Sequence, residues 1–286
     1  MLIKKIMSLN QTLAKNLFNG LTDYKKYIKK HTLDKLVGVN LNSYGDVTSK
    51  KIKQPYYSVD PNAKEPFFSE IDDLCRLHYL IISRKVTTIL EFGVGKSTLV
   101  FNDALLKNKK KYELFVSKKL RRSNPFECHS LDSSRKWIKK IKYNNNLPRV
   151  NFHYSEVKMG IFNDRTCTFY KKMTNICPDF VYVDGPDQFS AKGFIRGVTT
   201  NHPDKLPMSG DLLAIEHFLL PGTLIVVDGR TANARFLKAN LQRNWIYFHN
   251  KNADQHFFEL NEEPLGIFNK RQIDFCLGHN YYLRKK

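Results

Sequence analysis

A chain of 286 residues with 42% hydrophobic content can bury one large core. Its 47 Lys and Arg against 27 Asp and Glu give a formal charge of +20, which favours nucleic acid, anionic glycans or an acidic surface as partners. No apolar run reaches the roughly 20 residues of a membrane span, and Cys75, Cys128, Cys167, Cys177 and Cys276 form no CxxC pair, which points away from zinc and towards reduced thiols in a cytoplasmic protein.

Leu9, Leu13, Leu17, Leu21, Tyr24 and Ile28 recur at helical spacing among lysines, which predicts one or two amphipathic helices packed on the main domain. Residues 42–66 carry Gly45, Pro55, Pro61 and Pro66 and read as a linking loop that could close over a site. We therefore divide the chain into an N-terminal extension with its loop (1–68), an α/β domain (69–260) and a C-terminal extension packed on that domain (261–286). Residues 69–83 predict a helix with Asp72 and Asp73 near its start, where the dipole favours negative charge. The β-branched run from Val86 to Phe92 predicts a buried strand. Gly93 to Thr98 then predicts a tight turn into a helix ending near Leu106. The basic stretch from Lys107 to Arg122 reads as a solvated insertion before the strand at Phe126–Leu131.

Further strands are predicted at Val150–Tyr154, Phe180–Val183 and Thr223–Val227, a helix at 210–220, and a terminal hairpin from Trp245–His249 and His256–Leu260. His217 reads as a structural histidine and Tyr182 and Trp245 as core aromatics. Ser155 and Glu156 close the third strand, where a nucleoside could be contacted.

The strand ends carry the chemistry. Gly93 and Gly95 allow close backbone approach, and Ser97 and Thr98 can cap the following helix while its N–H groups face an anion or carboxylate. A P-loop would need glycine at Leu90, and a dinucleotide fingerprint would want a small residue at Thr98 and no acid before Gly93. A pyrophosphate there would meet Glu91, a repulsion on the order of 1 kcal/mol or more outside bulk water; a cationic ligand would be attracted. Asp132 ends the second strand and can cap a helix with Ser133, or accept the hydroxyls of a ribose. Asp184-Gly185 and Asp228-Gly229 end two later strands, so parallel strands would bring both acids to one crevice. Such a pair can hold Mg²⁺, supply a general base, or cap a helix. Lys96 and Arg230 adjoin these loops and could hold an anionic group.

Glu91-Phe92-Gly93-Val94-Gly95-Lys96-Ser97-Thr98, with Asp132 and the terminal hairpin, resembles the class I S-adenosylmethionine-dependent methyltransferases. The resemblance implies a three-layer, Rossmann-like α/β fold with a mostly parallel sheet. It also implies S-adenosylmethionine bound by Glu91, Gly93, Gly95, Ser97, Thr98, Asp132 and Ser133, with Glu91 facing the cofactor's methionine portion. Asp184 and Asp228 are then the catalytic candidates. They are also the ligands of a Mg²⁺ ion if the chain follows the metal-dependent O-methyltransferases of small molecules and sugars, although Gly229 and Arg230 stand where those enzymes carry a further oxygen ligand. The expected acceptor is a hydroxyl of a small molecule or glycan. A nucleic-acid methyltransferase using the basic surface, a nicotinamide-dependent oxidoreductase and a non-catalytic binding protein on the same fold are the alternatives.

Overall fold

The computed structural model describes residues 13–39 and 70–283. Its centre is a seven-stranded sheet in the order β3-β2-β1-β6-β8-β10-β9. The strands are β1 Thr88–Phe92, β2 Glu127–Asp132, β3 Val150–Tyr154, β6 Phe180–Val183, β8 Leu224–Asp228, β9 Trp245–Asn250 and β10 Gln255–Leu260. Pairing is parallel from β3 through β8, while β10 runs antiparallel to both β8 and β9. This is the expected mostly parallel α/β sheet with a terminal hairpin.

Alternation along the strands builds two cores, because successive side chains of a strand face opposite sides. Ile89, Cys128, Phe180, Tyr182, Val226 and Phe257 pack on one side. They meet α3 (Ile71–Ser83), α4 (Lys96–Lys119) and the N-terminal segments, which are a helical stretch at 13–18, α1 (Tyr24–His31) and α2 (Leu33–Val37). Leu13, Leu17, Leu21 and Ile28 are buried there, so the helical spacing does mark a packed face; Leu9 and the loop at 42–66 lie outside the described residues. Leu90, Phe92, Val181, Val183, Ile225, Val227 and Phe258 face the other side. They meet α6 (Asp211–Ile215), α7 (Thr231–Asn240) and a three-stranded sheet of β5 (Arg165–Tyr170), β4 (Val157–Phe162) and β7 (Ala191–Lys192). Among the described residues no helix is long and apolar enough to cross a membrane.

Three sequence expectations are corrected, and one element is new. The basic stretch is no insertion: α4 runs unbroken to Lys119, because Val116 is buried with Leu120 and Phe126 and holds the far end down. Between β3 and β6 the chain forms the hairpin β4–β5, which the sequence did not announce. The helix predicted at 210–220 is only α6 followed by a 3₁₀ turn at Glu216–Phe218. His217 is exposed on that turn rather than packed. After the sheet, α8 (Gly266–Cys276) and α9 (Asn280–Leu283) return to its opposite edge, where Phe275 O accepts from Lys85 Nζ and Tyr281 Oη donates to Leu260 O.

Asp211 ties the start of α6 to the end of β5. Buried at the start of α6, it accepts from Tyr170 N at 3.0 Å and Ser209 Oγ at 2.9 Å, and burial pushes its carboxyl up to about 7. An acid raised in the folded state stabilises the fold while protonated, and that contribution is lost as pH rises between the unfolded value of 3.8 and about 7. Asp211→Asn removes this dependence. From pH 5 to pH 8 the wild type should lose about 3 kcal/mol relative to the variant, at 1.36 kcal/mol per pKa unit. Denaturant melts of both proteins across that range check it, and a constant gap would contradict it.

Candidate active site

The carboxyl ends of β1, β2, β6 and β8 converge on one edge of the sheet. Glu91 lies opposite Ser130 on β2 and Tyr182 on β6, so its side chain points to the α4 face from the middle of three strands. It is fully buried. Oε1 accepts from Ser97 Oγ at 2.6 Å, and Oε2 from Thr98 Oγ1 at 2.8 Å and Ser130 Oγ at 2.5 Å. Thr98 Oγ1 in turn accepts from Gly95 N at 3.1 Å. Burial pushes Glu91 up to about 7, against the three hydroxyls that favour its charged form. Glu91 therefore contacts protein groups on the oxygens named and anchors the first turn of α4, whose N–H groups have no intrahelical acceptor.

Asp132 ties this corner to the next strand end. Oδ2 accepts from Val94 N at 2.8 Å and Oδ1 from Ser134 N at 2.6 Å. Each oxygen keeps a lone pair, and the half-buried carboxyl is raised by burial, in opposition to these N–H donors. Ser134, rather than Asp132 or Ser133, caps α5 (Arg135–Asn144), accepting from Trp137 N. Glu156 turns away to Lys171 and Lys192, both at 2.5 Å, and Ser155 Oγ accepts from Lys172 N.

The third strand end closes against the first. Gly93, at φ +98°, leaves no room for a side chain: a Cβ would lie 3.0 Å from the Asp184 carbonyl. A Cβ on Gly185 would lie 2.7 Å from Gly93 N. Backbone thus packs on backbone, and Asp184 N donates to Phe92 O at 2.9 Å. The Asp184 side chain is 56% exposed. Surrounding protein pushes its carboxyl up while Arg230 pulls it down, and solvent access limits the upward push.

Asp228 is the more enclosed acid. Its Oδ2 accepts from Tyr182 Oη at 2.5 Å, and burial followed by the charge of Asp184 raises it to about 7. The two acids therefore share one electrostatic site. Tyr182 is itself pushed far up by burial and by Asp228, so it remains the donor. Arg230 is not free for an anion. It donates from Nη2 to Asp184 O and from Nη1 to Pro186 O, both at 2.7 Å, and from Nε to Asp184 Oδ1 at 3.4 Å, latching two strand-end loops together. Lys96 is half-buried, and burial lowers its amine.

Protein-family models and curated proteins give no match to the chain.

The structure brings Gly93, Asp132, Asp184 and Asp228 to one edge, with Glu91, Ser97 and Thr98 forming its floor. Sequence reasoning missed Ser130, Tyr182 and Tyr170. Ser130, a buried serine between His129 and Leu131 in β2, carried no signal in a strand that is itself polar at four of its six positions. Tyr182 ends on the next acid only because β6 and β8 are neighbours in register. Tyr170 arrives from the unannounced hairpin; its buried hydroxyl has no hydrogen-bond partner and lies under Gly185, 2.9 Å from where a Cβ would stand.

Proposed function

We propose that this chain is an S-adenosylmethionine-dependent methyltransferase acting on a hydroxyl of a small molecule or glycan. The observation that carries the proposal is the convergence of the glycine corner with Asp132, Asp184 and Asp228 at the carboxyl edge of one sheet, where open α/β sheets bind ligands. The antiparallel β10–β9 hairpin supports it against a dinucleotide-binding fold, whose sheet ends on a sixth parallel strand. The donor set fits the cofactor: first-turn N–H groups of α4 for a carboxylate, the remaining lone pairs of Asp132 for a ribose, and the buried charge of Glu91 for a cation. Glu91 acts through its field and by shaping the corner, in place of the direct contact that the resemblance implies.

The cofactor, when bound, supplies an electrophilic methyl group, so the protein's main task is alignment. Asp184 is the accessible acid and accepts the proton of the attacking hydroxyl. Arg230 holds the Asp184 loop in place. Asp228, raised to about 7 by burial and by Asp184 and accepting from Tyr182 Oη, is protonated below about pH 7 and so keeps a second negative charge from crowding Asp184. The positive charge that a Mg²⁺ ion would bring to this pair is supplied at Asp184 by Arg230.

Asp184→Asn should lower kcat about 100-fold or more, within the 10²–10⁴ range of general-base contributions. Affinity for S-adenosylhomocysteine should change little. Release of S-adenosylhomocysteine, measured across a panel of hydroxylated acceptors, checks this; full activity in the variant would remove Asp184 from the reaction. One observation favours nucleic acid as the acceptor instead. α5 carries Arg135, Lys136, Lys139, Lys140 and Lys142, no acid and no buried residue, next to the Asp132 loop. Affinity that falls steeply with salt is the signature of that case.

A further inference from the structure

The hairpin turn between β9 and β10 reaches the same sheet edge, because Gln255 lies opposite Asp228 and Gly229 N donates to Asp254 O at 2.9 Å. His249 and His256 face each other across the two strands, and Asp254 closes the turn between them. His249 Nε2 stands 3.4 Å from Asp254 Oδ1, and His256 Nε2 stands 3.9 Å from the same oxygen. One ligand atom from each of the three residues lies within 4.8 Å of the other two.

We propose that His249 Nε2, His256 Nε2 and Asp254 Oδ1 form a binding site for one divalent transition-metal ion of the zinc type. A tetrahedral ion with bonds of roughly 2 Å holds its ligand atoms about 3.3 Å apart, close to the separations already present. Two imidazoles and one carboxylate suit zinc and its neighbours and do not suit Mg²⁺, which takes oxygen ligands. The scattered cysteines argued against zinc on the sequence; here the ligands are histidines that only the hairpin register brings together.

Two further observations point to a ligand. His249 Nε2 is a buried polar atom with no hydrogen-bond partner. His256 is already oriented from behind, with Nδ1 2.8 Å from Tyr247 Oη. An ion on Nε2 takes the place of the proton there; the proton then sits on Nδ1, facing Tyr247 Oη, in the manner of outer-shell partners that fix a metal-bound histidine. Thr231 Oγ1 donates to Asp254 Oδ1 at 3.0 Å and holds the carboxylate in place, which leaves His256 Nε2, also 3.0 Å away, as the donor to Thr231 Oγ1 until an ion displaces that proton. The two imidazole rings stack with centroids 3.8 Å apart, so coordination swings His249 out of the stack. The sheet-edge position of β9 and the 24% exposure of the His249 side chain leave that rotation open. A bound ion would clamp the hairpin onto the loop that carries Asp228 and Arg230.

The test is a calorimetric titration of the untagged full chain, stripped with a chelator and dialysed, with Zn²⁺ alone. Co²⁺ absorption serves as a spectroscopic report of nitrogen ligation. One equivalent should bind, and His249→Ala and His256→Ala should each weaken binding by about 100-fold or more, beyond what loss of an outer-shell partner costs. Asp184→Asn should bind as the wild type does. Circular dichroism of His249→Ala, which alters a partly exposed side chain, shows that the fold is kept. No binding of Zn²⁺, binding indifferent to His249→Ala, or binding lost in Asp184→Asn would each overturn the assignment.

Discussion

Glu91→Ala should lower unfolding stability by about 3–5 kcal/mol and abolish binding of S-adenosylmethionine. The truncation leaves the hydroxyls of Ser97, Thr98 and Ser130 facing a dry hole, and a buried polar group left unpaired costs about 1–3 kcal/mol. Ser97 and Thr98 form the first turn of α4, so the glycine corner also loses its anchor. Glu91→Gln separates structure from charge. It keeps the shape and can still bond the hydroxyls, so it should fold close to the wild type while binding the cationic cofactor more weakly. Because Glu91 titrates at about 7, wild-type affinity should rise with pH as the carboxylate forms. If only the ionised form binds, the gain from pH 6 to pH 8 is about tenfold, whereas the Gln variant should be flat. Equal pH dependence in both proteins would exclude Glu91 as the source.

Gly185→Ala should abolish cofactor binding and turnover although it removes no polar group. Its Cβ would stand 2.7 Å from Gly93 N, 2.9 Å from Phe92 C and 2.9 Å from Tyr170 Oη. Two of these are backbone atoms of the β1 strand end, which cannot yield without moving the corner itself. Overpacking of this kind typically costs 1–3 kcal/mol, here concentrated where the first acid strand end meets the third. Gly95→Ala is the control. Gly95 has extended backbone at φ −163°, and its nearest neighbour to a Cβ is Ser97 Oγ at 3.9 Å. That variant should melt with the wild type, so a loss of binding there would report ligand approach rather than fold. Thermal melts with parallel calorimetric titrations separate the two glycines.

The ends of β1, β6 and β8 were legible because these buried strands read as apolar, β-branched runs that lead straight into a glycine or an acid. What those acids touch was not legible. Glu91 looks like a ligand contact on the sequence and lies instead under three hydroxyls, because two of its partners follow by six and seven residues and the third comes from β2. Arg230 reads as a free cation and is spent on the Asp184 loop. The hairpin β4–β5 was hidden by Gly160, which looks like a breaker but sits under the Phe169 ring, where a Cβ would meet that ring at 2.7 Å. The Lys-rich half of α4 keeps only a short apolar stripe, Tyr112, Phe115 and Val116, whose partner Phe275 comes from α8. It stays helical through lysine's good propensity and the burial of Val116. Tertiary partners, absent from any local window, decide each of these cases.

The most direct test is calorimetric titration of the wild-type chain with S-adenosylmethionine and S-adenosylhomocysteine, with NAD alongside. Micromolar binding of both sulfur ligands, none of NAD, and loss of binding in Gly185→Ala are the predicted results. Binding of NAD without either sulfur ligand would transfer the site to an oxidoreductase, and no binding of any of the three would contradict the account.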